Sequence, residues 1–344
     1  MGRKLLIVLG NGFTMDFLKH INADSRIDVR NLFKNGSSVR WPADGEPGFL
    51  SFKHCPNLWN LSARPQMSEE EAMSLIEDII TCINVHAVSP RKGSIGADAS
   101  PNDIYLYAYK ELVAYLRHLF VAYDRAVPLA LPQIESWPWC NLLDQANADV
   151  TIDEIWIVTY NYDIWLERVL LQKGISFSVY AVENPAAPPK IRILKPHGSI
   201  SFVHKTVRDR AAFQIVYDRE LPDCQASDFS VSYTDLDQNF LVNAMIPPAG
   251  DSGRFNQSWA IEIRNKIKEI AESLTKDDEV IVCGISYWHV DRYELDELFV
   301  SLPEEVNIKI VNPSPNRSMN TVIASLFSNF ISYNNAAELR GAAL

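Results

Sequence analysis

The sequence predicts an α/β fold: a doubly wound parallel sheet with a mostly helical insertion. Three observations carry that expectation. Short apolar runs, such as residues 4–9 and 155–160, alternate with stretches of helical spacing, as strands do when crossover helices bury both their faces. The first run leads at once into Gly10-Asn11-Gly12 and a helix start, which reads as a βα turn. From about 20 to 150 the alternation stops and long amphipathic stretches take over, so that segment reads as an insertion after the first βα unit. The 344 residues are expected to form one domain, 1–344, with the insertion inside it.

In chain order, residues 4–9 (Lys-Leu-Leu-Ile-Val-Leu) make the first strand. Gly, Pro and Asn punctuation, including Asn35-Gly36 and Pro42, predicts irregular chain from about 20 to 65. Ser68-Glu69-Glu70-Glu71 reads as a capping box, with Ser at the N-cap and Glu three residues on. Ala72, Leu75, Ile76, Ile79, Ile80 and Ile83 then follow at helical spacing. Residues 90–101 are rich in Gly and Ser and are expected to form a loop. A second long helix is expected from about 104 to 126, with Tyr105, Ala108, Leu112, Tyr115, Leu116 and Leu119 as a core-facing stripe. After Trp137-Pro138-Trp139 the alternation resumes. Strands are expected at 155–160, 177–182, 191–194, 279–285 and 306–311, and helices at 164–172, 258–274, 293–302 and 319–330.

Composition narrows the function classes. The chain is 47% hydrophobic and 22% charged, which suits a globular protein and not a disordered one. A net charge of -11 argues against nucleic acid as a direct ligand, because contact with phosphates needs a basic face. The first apolar run is too short for a signal peptide, and no stretch is long enough to span a bilayer, so a cytoplasmic protein with no membrane partner is expected. Cys55, Cys82, Cys140, Cys224 and Cys283 contain no Cys-x-x-Cys pair. They read as scattered reduced thiols, and no metal site is expected.

Ligands of doubly wound sheets bind where loops leave the carboxyl ends of the strands, and the chemically interesting residues fall there. Gly10-Asn11-Gly12 follows strand one, where glycines allow a tight turn and close approach of backbone N–H groups to a pyrophosphate. A third glycine of that fingerprint would fall at Met15 and is missing, and a plain strand-to-helix turn also favours glycine. Thr159-Tyr160-Asn161-Tyr162-Asp163 ends the 155–160 run. Asp163 or Asn161 can cap the next helix, and the Asn161 amide can equally hold a ribose hydroxyl or an attacking water. In Lys195-Pro196-His197-Gly198-Ser199, His197 follows a strand and precedes a glycine that would expose it, a useful setting for a general base. The other six histidines, His289 included, read as surface or packing residues. Gly284-Ile285-Ser286 closes a fourth strand, with Asp291 beyond it, and Asn312 closes a fifth.

Taken in order, these motifs resemble the sirtuin superfamily: Gly10-Asn11-Gly12, Asn161-Tyr162-Asp163, His197-Gly198, Gly284-Ile285-Ser286 and Asn312. The set is most similar to a bacterial sirtuin-like branch, through Thr159-Tyr160-Asn161-Tyr162-Asp163, Lys195-Pro196-His197-Gly198-Ser199-Ile200, and Gly284-Ile285-Ser286 with Asp291. The start Ile7-Val8-Leu9-Gly10-Asn11-Gly12-Phe13 also resembles a related abortive-infection family. The resemblance implies a Rossmann-like sheet and NAD as substrate, with no further cofactor. For this branch it implies an NAD glycohydrolase that depletes NAD in antiphage defence. It makes Asn161 and His197 the catalytic pair, and Gly10, Asn11, Gly12, Phe13, Asp163, Gly284, Ser286 and Asn312 the NAD contacts. Two departures matter: the four-cysteine zinc module of the deacetylating sirtuins is absent, and so is their Pro-Asp-Phe-Arg stretch. Protein deacylation is therefore disfavoured. The remaining alternative is a non-catalytic module that binds NAD or ADP-ribose and signals to a partner. An uncontrolled NAD hydrolase would poison its host. Control is therefore expected from homo-oligomer assembly, from a partner ATPase or other defence protein, or from a phage-derived trigger.

Overall fold

The computed structural model describes residues 2–88, 103–248, 257–285, 292–314 and 316–339. Strand β1 (Arg3–Leu9) is buried from Leu5 to Leu9, as an unbroken apolar run in a sheet covered on both faces must be. It leads directly into α1 (Asn11–His20), whose N-cap is Gly10. Residues 21–55 are built from turns. The helices α2 (Pro56–Asn60), α3 (Glu69–Val88), α4 (Ile104–Ala126), α5 (Leu131–Ser136) and α6 (Pro138–Ala148) follow. The capping box is present at α3: the Ser68 N–H donates to Glu71 Oε2 at 2.8 Å, and the Glu71 N–H donates to Ser68 Oγ at 3.2 Å. Residues 90–101, read as a loop, lie outside the described residues.

The chain then builds the rest of the sheet. Its remaining elements are β2 (Ile152–Thr159), α7 (Trp165–Lys173), β3 (Phe177–Val179), β4 (Ile191–Leu194), β5 (Gly198–His204), β6 (Val207–Arg208), β7 (Phe229–Val231), β8 (Asn239–Phe240), β9 (Asn243–Met245), α8 (Ser258–Glu272), β10 (Glu279–Cys283), α9 (Arg292–Ser301), β11 (Asn307–Val311), α10 (Arg317–Leu326) and β12 (Phe330–Tyr333). Seven strands form one sheet in the order β12-β11-β10-β1-β2-β4-β3, every pair parallel. With flanking helices this is a Rossmann-like α/β fold. The chain runs outward from β1 to β3 on one side, then returns and runs from β10 to β12 on the other. The order therefore reverses between β1 and β10, where such sheets open a crevice at their carboxyl ends.

Two parts of the architecture differ from the sequence reading. The expected helix over 319–330 ends at Leu326, and Phe330–Tyr333 instead pairs with β11 as an edge strand. Phe, Ile and Tyr favour extended chain, so this β-forming run ends the helical pattern. The sequence reading also contained no second sheet. β5 pairs antiparallel with β7 and β9, while β6 pairs with β8. Arg117 of α4, fully buried, secures this part of the fold by donating to the carbonyls of Leu236 at 3.0 Å and Phe202 at 3.4 Å. Among the described residues no helix is long and apolar enough to cross a membrane.

Candidate functional site

Three of the strand-tip segments meet. The Asn161 side chain, just past the end of β2, donates through Nδ2 to the Gly10 carbonyl at 2.9 Å and to Thr14 Oγ1 at 3.0 Å. Thr14 in turn donates its hydroxyl proton to Asp163 Oδ2 at 2.6 Å. Both amide hydrogens of Asn161 are thus committed to the turn after β1 and the first turn of α1. Its carbonyl oxygen has no hydrogen-bond partner among the described residues, and the residue is half-buried. That oxygen is an acceptor at the carboxyl end of β2.

Asp163 performs two tasks. Oδ1 accepts from the Trp165 N–H at 3.3 Å, a capping contact at the start of α7, while Oδ2 accepts from Thr14. Burial pushes its carboxyl up to about 6, against the pull of Lys195 and the Thr14 hydroxyl. Lys195 begins the Lys-Pro-His-Gly segment and is itself fully buried. It donates to the Asp163 carbonyl and to Glu167 Oε1, each at 2.6 Å. The lysine of that motif therefore fastens the segment after β4 to the segment after β2.

His197 is 1% exposed, which corrects the expectation that Gly198 exposes it. Gly198 serves the backbone instead. It has φ +83°, and a Cβ there would lie 2.6 Å from the Ala244 carbonyl carbon, so glycine is what lets β5 start against β9. The imidazole Nε2 lies 2.8 Å from Glu294 Oε2, and Tyr160 packs edge-on against the ring with centroids 5.0 Å apart. Glu294 Oε1 also pairs with Arg264 Nη2 at 2.7 Å. Burial opposes ionisation of Glu294, but His197 and Arg264 outweigh it and hold the carboxyl below its ordinary value. Glu294, in the first turn of α9, and Arg264, on α8, were not singled out in the sequence. A first-turn glutamate is ordinary helix chemistry, and only the fold carries it to a histidine 97 positions away.

The remaining candidates lie around the tips of β1, β10 and β11. Gly10 and Gly12 pack on the tip of β10: the Gly12 N–H donates to the Gly284 carbonyl at 2.8 Å, and a Cβ on Gly12 would meet Gly284 Cα at 2.6 Å. Close approach of two backbones thus accounts for the glycines, and the Gly12 N–H is already engaged. The Phe13 ring is buried against Trp137 and Trp139, so a ligand contact there falls to its backbone. Asn11 is exposed and donates to the Val29 carbonyl at 3.2 Å, which ties down the irregular segment after α1. Asn312 donates to the Ile285 carbonyl at 3.3 Å and accepts from the Ser314 N–H at 3.1 Å, joining the tips of β11 and β10. Ser286, Asp291 and His289 lie outside the described residues. Among those described, no group of three or more His, Cys, Asp or Glu side chains is arranged to hold a metal ion. No protein-family model matches this chain, and no curated protein matches it.

Proposed function

We propose that this chain binds NAD at the carboxyl edge of its parallel sheet and hydrolyses the bond between nicotinamide and ribose. The observation that carries this reading is the Asn161 carbonyl oxygen. It is an acceptor without a partner among the described residues, and Gly10 and Thr14 hold its amide at the carboxyl end of β2, the edge at which such sheets take nucleotides. Nicotinamide leaves as a neutral pyridine from a cationic pyridinium, so its departure needs no acid. What remains is to bind the dinucleotide, orient a nucleophile and remove a proton. Asn161 accepts a hydrogen bond from a ribose hydroxyl or from the attacking water. His197, the buried imidazole packed against Tyr160, Asn161's neighbour in the chain, takes the proton. The order of the motifs supports the same reading through their resemblance to sirtuin-like NAD hydrolases. On that reading the chain is a cytoplasmic antiphage effector, controlled by assembly or by a partner such as an ATPase.

A second reading draws on the burial of His197. A ring with 1% exposure inside an ion-paired cluster suits a structural role, and with it a module that binds NAD or ADP-ribose without turnover. Incubation of the purified protein with NAD separates the two. Free nicotinamide is expected from the wild type, and Asn161→Ala is expected to lower its rate about a hundredfold while melting within a few degrees of the wild type. A folded protein that binds NAD and releases no nicotinamide, with any candidate trigger supplied, leaves only the binding module standing.

A further inference from the structure

We infer that Glu294, clamped by Arg264, is a positioning residue that fixes His197 as the Nε2–H tautomer and so makes Nδ1 its basic nitrogen. The role in catalysis rests on the proposed NAD hydrolysis; the tautomer assignment does not.

The geometry leads there in steps. Glu294 Oε2 and His197 Nε2 are 2.8 Å apart, and both side chains are almost wholly buried. A carboxylate only accepts, so the shared hydrogen belongs to Nε2. The ring nitrogen that keeps its lone pair in the neutral imidazole is then Nδ1. Arg264, ion-paired with the other carboxylate oxygen at 2.7 Å, favours the ionised form of Glu294. The ring is held from a second side by Tyr160, just past the end of β2. Beyond this cluster, the small cavity shared by Tyr160, Arg264 and Glu294 is also lined by Lys268 of α8 and Glu297 of α9. Those two pair with each other at 3.9 Å, so Glu294 is the carboxylate that meets the imidazole directly. A carboxylate that orients a basic histidine is a recurrent arrangement in nucleophilic and metal sites, because it sets the tautomer and stabilises the imidazolium once formed.

Nitrogen-15 NMR of histidine-labelled protein tests the assignment without any turnover. The His197 signals are identified by their loss in His197→Gln. At a pH where the ring is neutral, the wild type is expected to show a protonated Nε2 and a pyridine-like Nδ1. A protonated Nδ1 in the wild type overturns the inference, and that spectrum decides the matter even where a variant fails to fold. In Glu294→Gln, whose amide can donate as well as accept, the two nitrogens are expected to average toward each other. The milder Arg264→Lys is expected to keep the wild-type pattern. Nicotinamide release provides the second arm. Glu294→Gln is expected to lower kcat about tenfold or more with little change in KM, and to move the acid limb of the pH profile down by about one unit, because the imidazolium loses its counter-ion. An unchanged rate and profile in Glu294→Gln removes the positioning role and leaves NAD hydrolysis intact. The expected tautomer in a protein that releases no nicotinamide removes the hydrolase and leaves the assignment intact.

Discussion

Asp163 keeps its charge at neutral pH under protest. Its carboxyl ionises near 6 in the folded chain, against an ordinary value of 3.8, because burial outweighs Lys195 and Thr14. Between those two pH values the folded protein holds a proton that the unfolded chain has lost. Stability therefore falls as pH rises through that window, and the loss is complete above about 6. At ~1.4 kcal/mol per unit, a shift of about two units is worth roughly 3 kcal/mol. Asp163→Asn cannot ionise and keeps an oxygen to accept from Thr14. It is expected to gain on the wild type by up to that amount between about pH 4 and pH 7, read from urea unfolding of both proteins. A difference between the two that stays flat with pH assigns the titration to another group. What the charge secures is the direction of the Thr14 hydroxyl: with its proton on Asp163, Thr14 presents oxygen to the Asn161 amide. Asn161 and Asp163 were both legible as special residues in the sequence, since a polar pair at a strand tip asks for a reason. Their link through Thr14 was not. Threonine one turn into a helix is ordinary, and the 149 positions between Thr14 and Asp163 are closed only by the pairing of β1 with β2.

At the scale of elements, the junction of the β1 and β10 tips constrains the site most tightly. Gly284 has φ +65°, and a Cβ there would come within 2.5 Å of the Gly12 carbonyl carbon, a backbone atom with nowhere to go. Gly284→Ala combines the cost of a left-handed residue, about 1–2 kcal/mol, with that of a backbone clash, about 1–3 kcal/mol. A loss of about 2–5 kcal/mol in denaturant unfolding is expected. Gly45→Ala is the control. Its φ of +75° carries the same strain, but nothing lies within 4 Å, so only the smaller cost is expected. Equal losses at the two positions would mean that the junction has slack. By the same geometry a side chain on Gly12 disturbs the fold before it can report on phosphate binding. The alternating strands and helices of the sheet, the α3 capping box and the α4 stripe were all readable, because local pattern and global placement agree there. The antiparallel sheet of β5, β7 and β9 was not. β7 and β9 have three residues each, and β5 buries Ser199 and Ser201, which bond to each other at 2.9 Å where an apolar run would announce a strand.

For the whole molecule, the proposed function raises the question of how a chain of net charge -11 would attract a dinucleotide that is itself anionic. Long-range attraction is unavailable, so affinity has to arise inside the crevice, from oriented donors and from burial of the rings. Salt then works in an unusual direction. Screening weakens repulsion between exposed charges of like sign, so NAD binding is expected to hold or tighten as salt rises from about 50 to 200 mM. Contact with nucleic-acid phosphates loses orders of magnitude over that range. Ligand-linked melting provides the measurement. At a hundred times its Kd a ligand stabilises by about 2.7 kcal/mol, which for a chain of this length raises Tm by a few degrees. The rise with NAD is expected to persist at the higher salt. With an active hydrolase it is also expected to drift during incubation toward the value given by ADP-ribose, while a pure binding module holds it constant. Absence of any shift with NAD and with ADP-ribose at both salt concentrations, in protein with a sharp unfolding transition, would end the nucleotide reading. A shift that vanishes at about 200 mM would point instead to a local cluster of cations that binds phosphate groups from the surface.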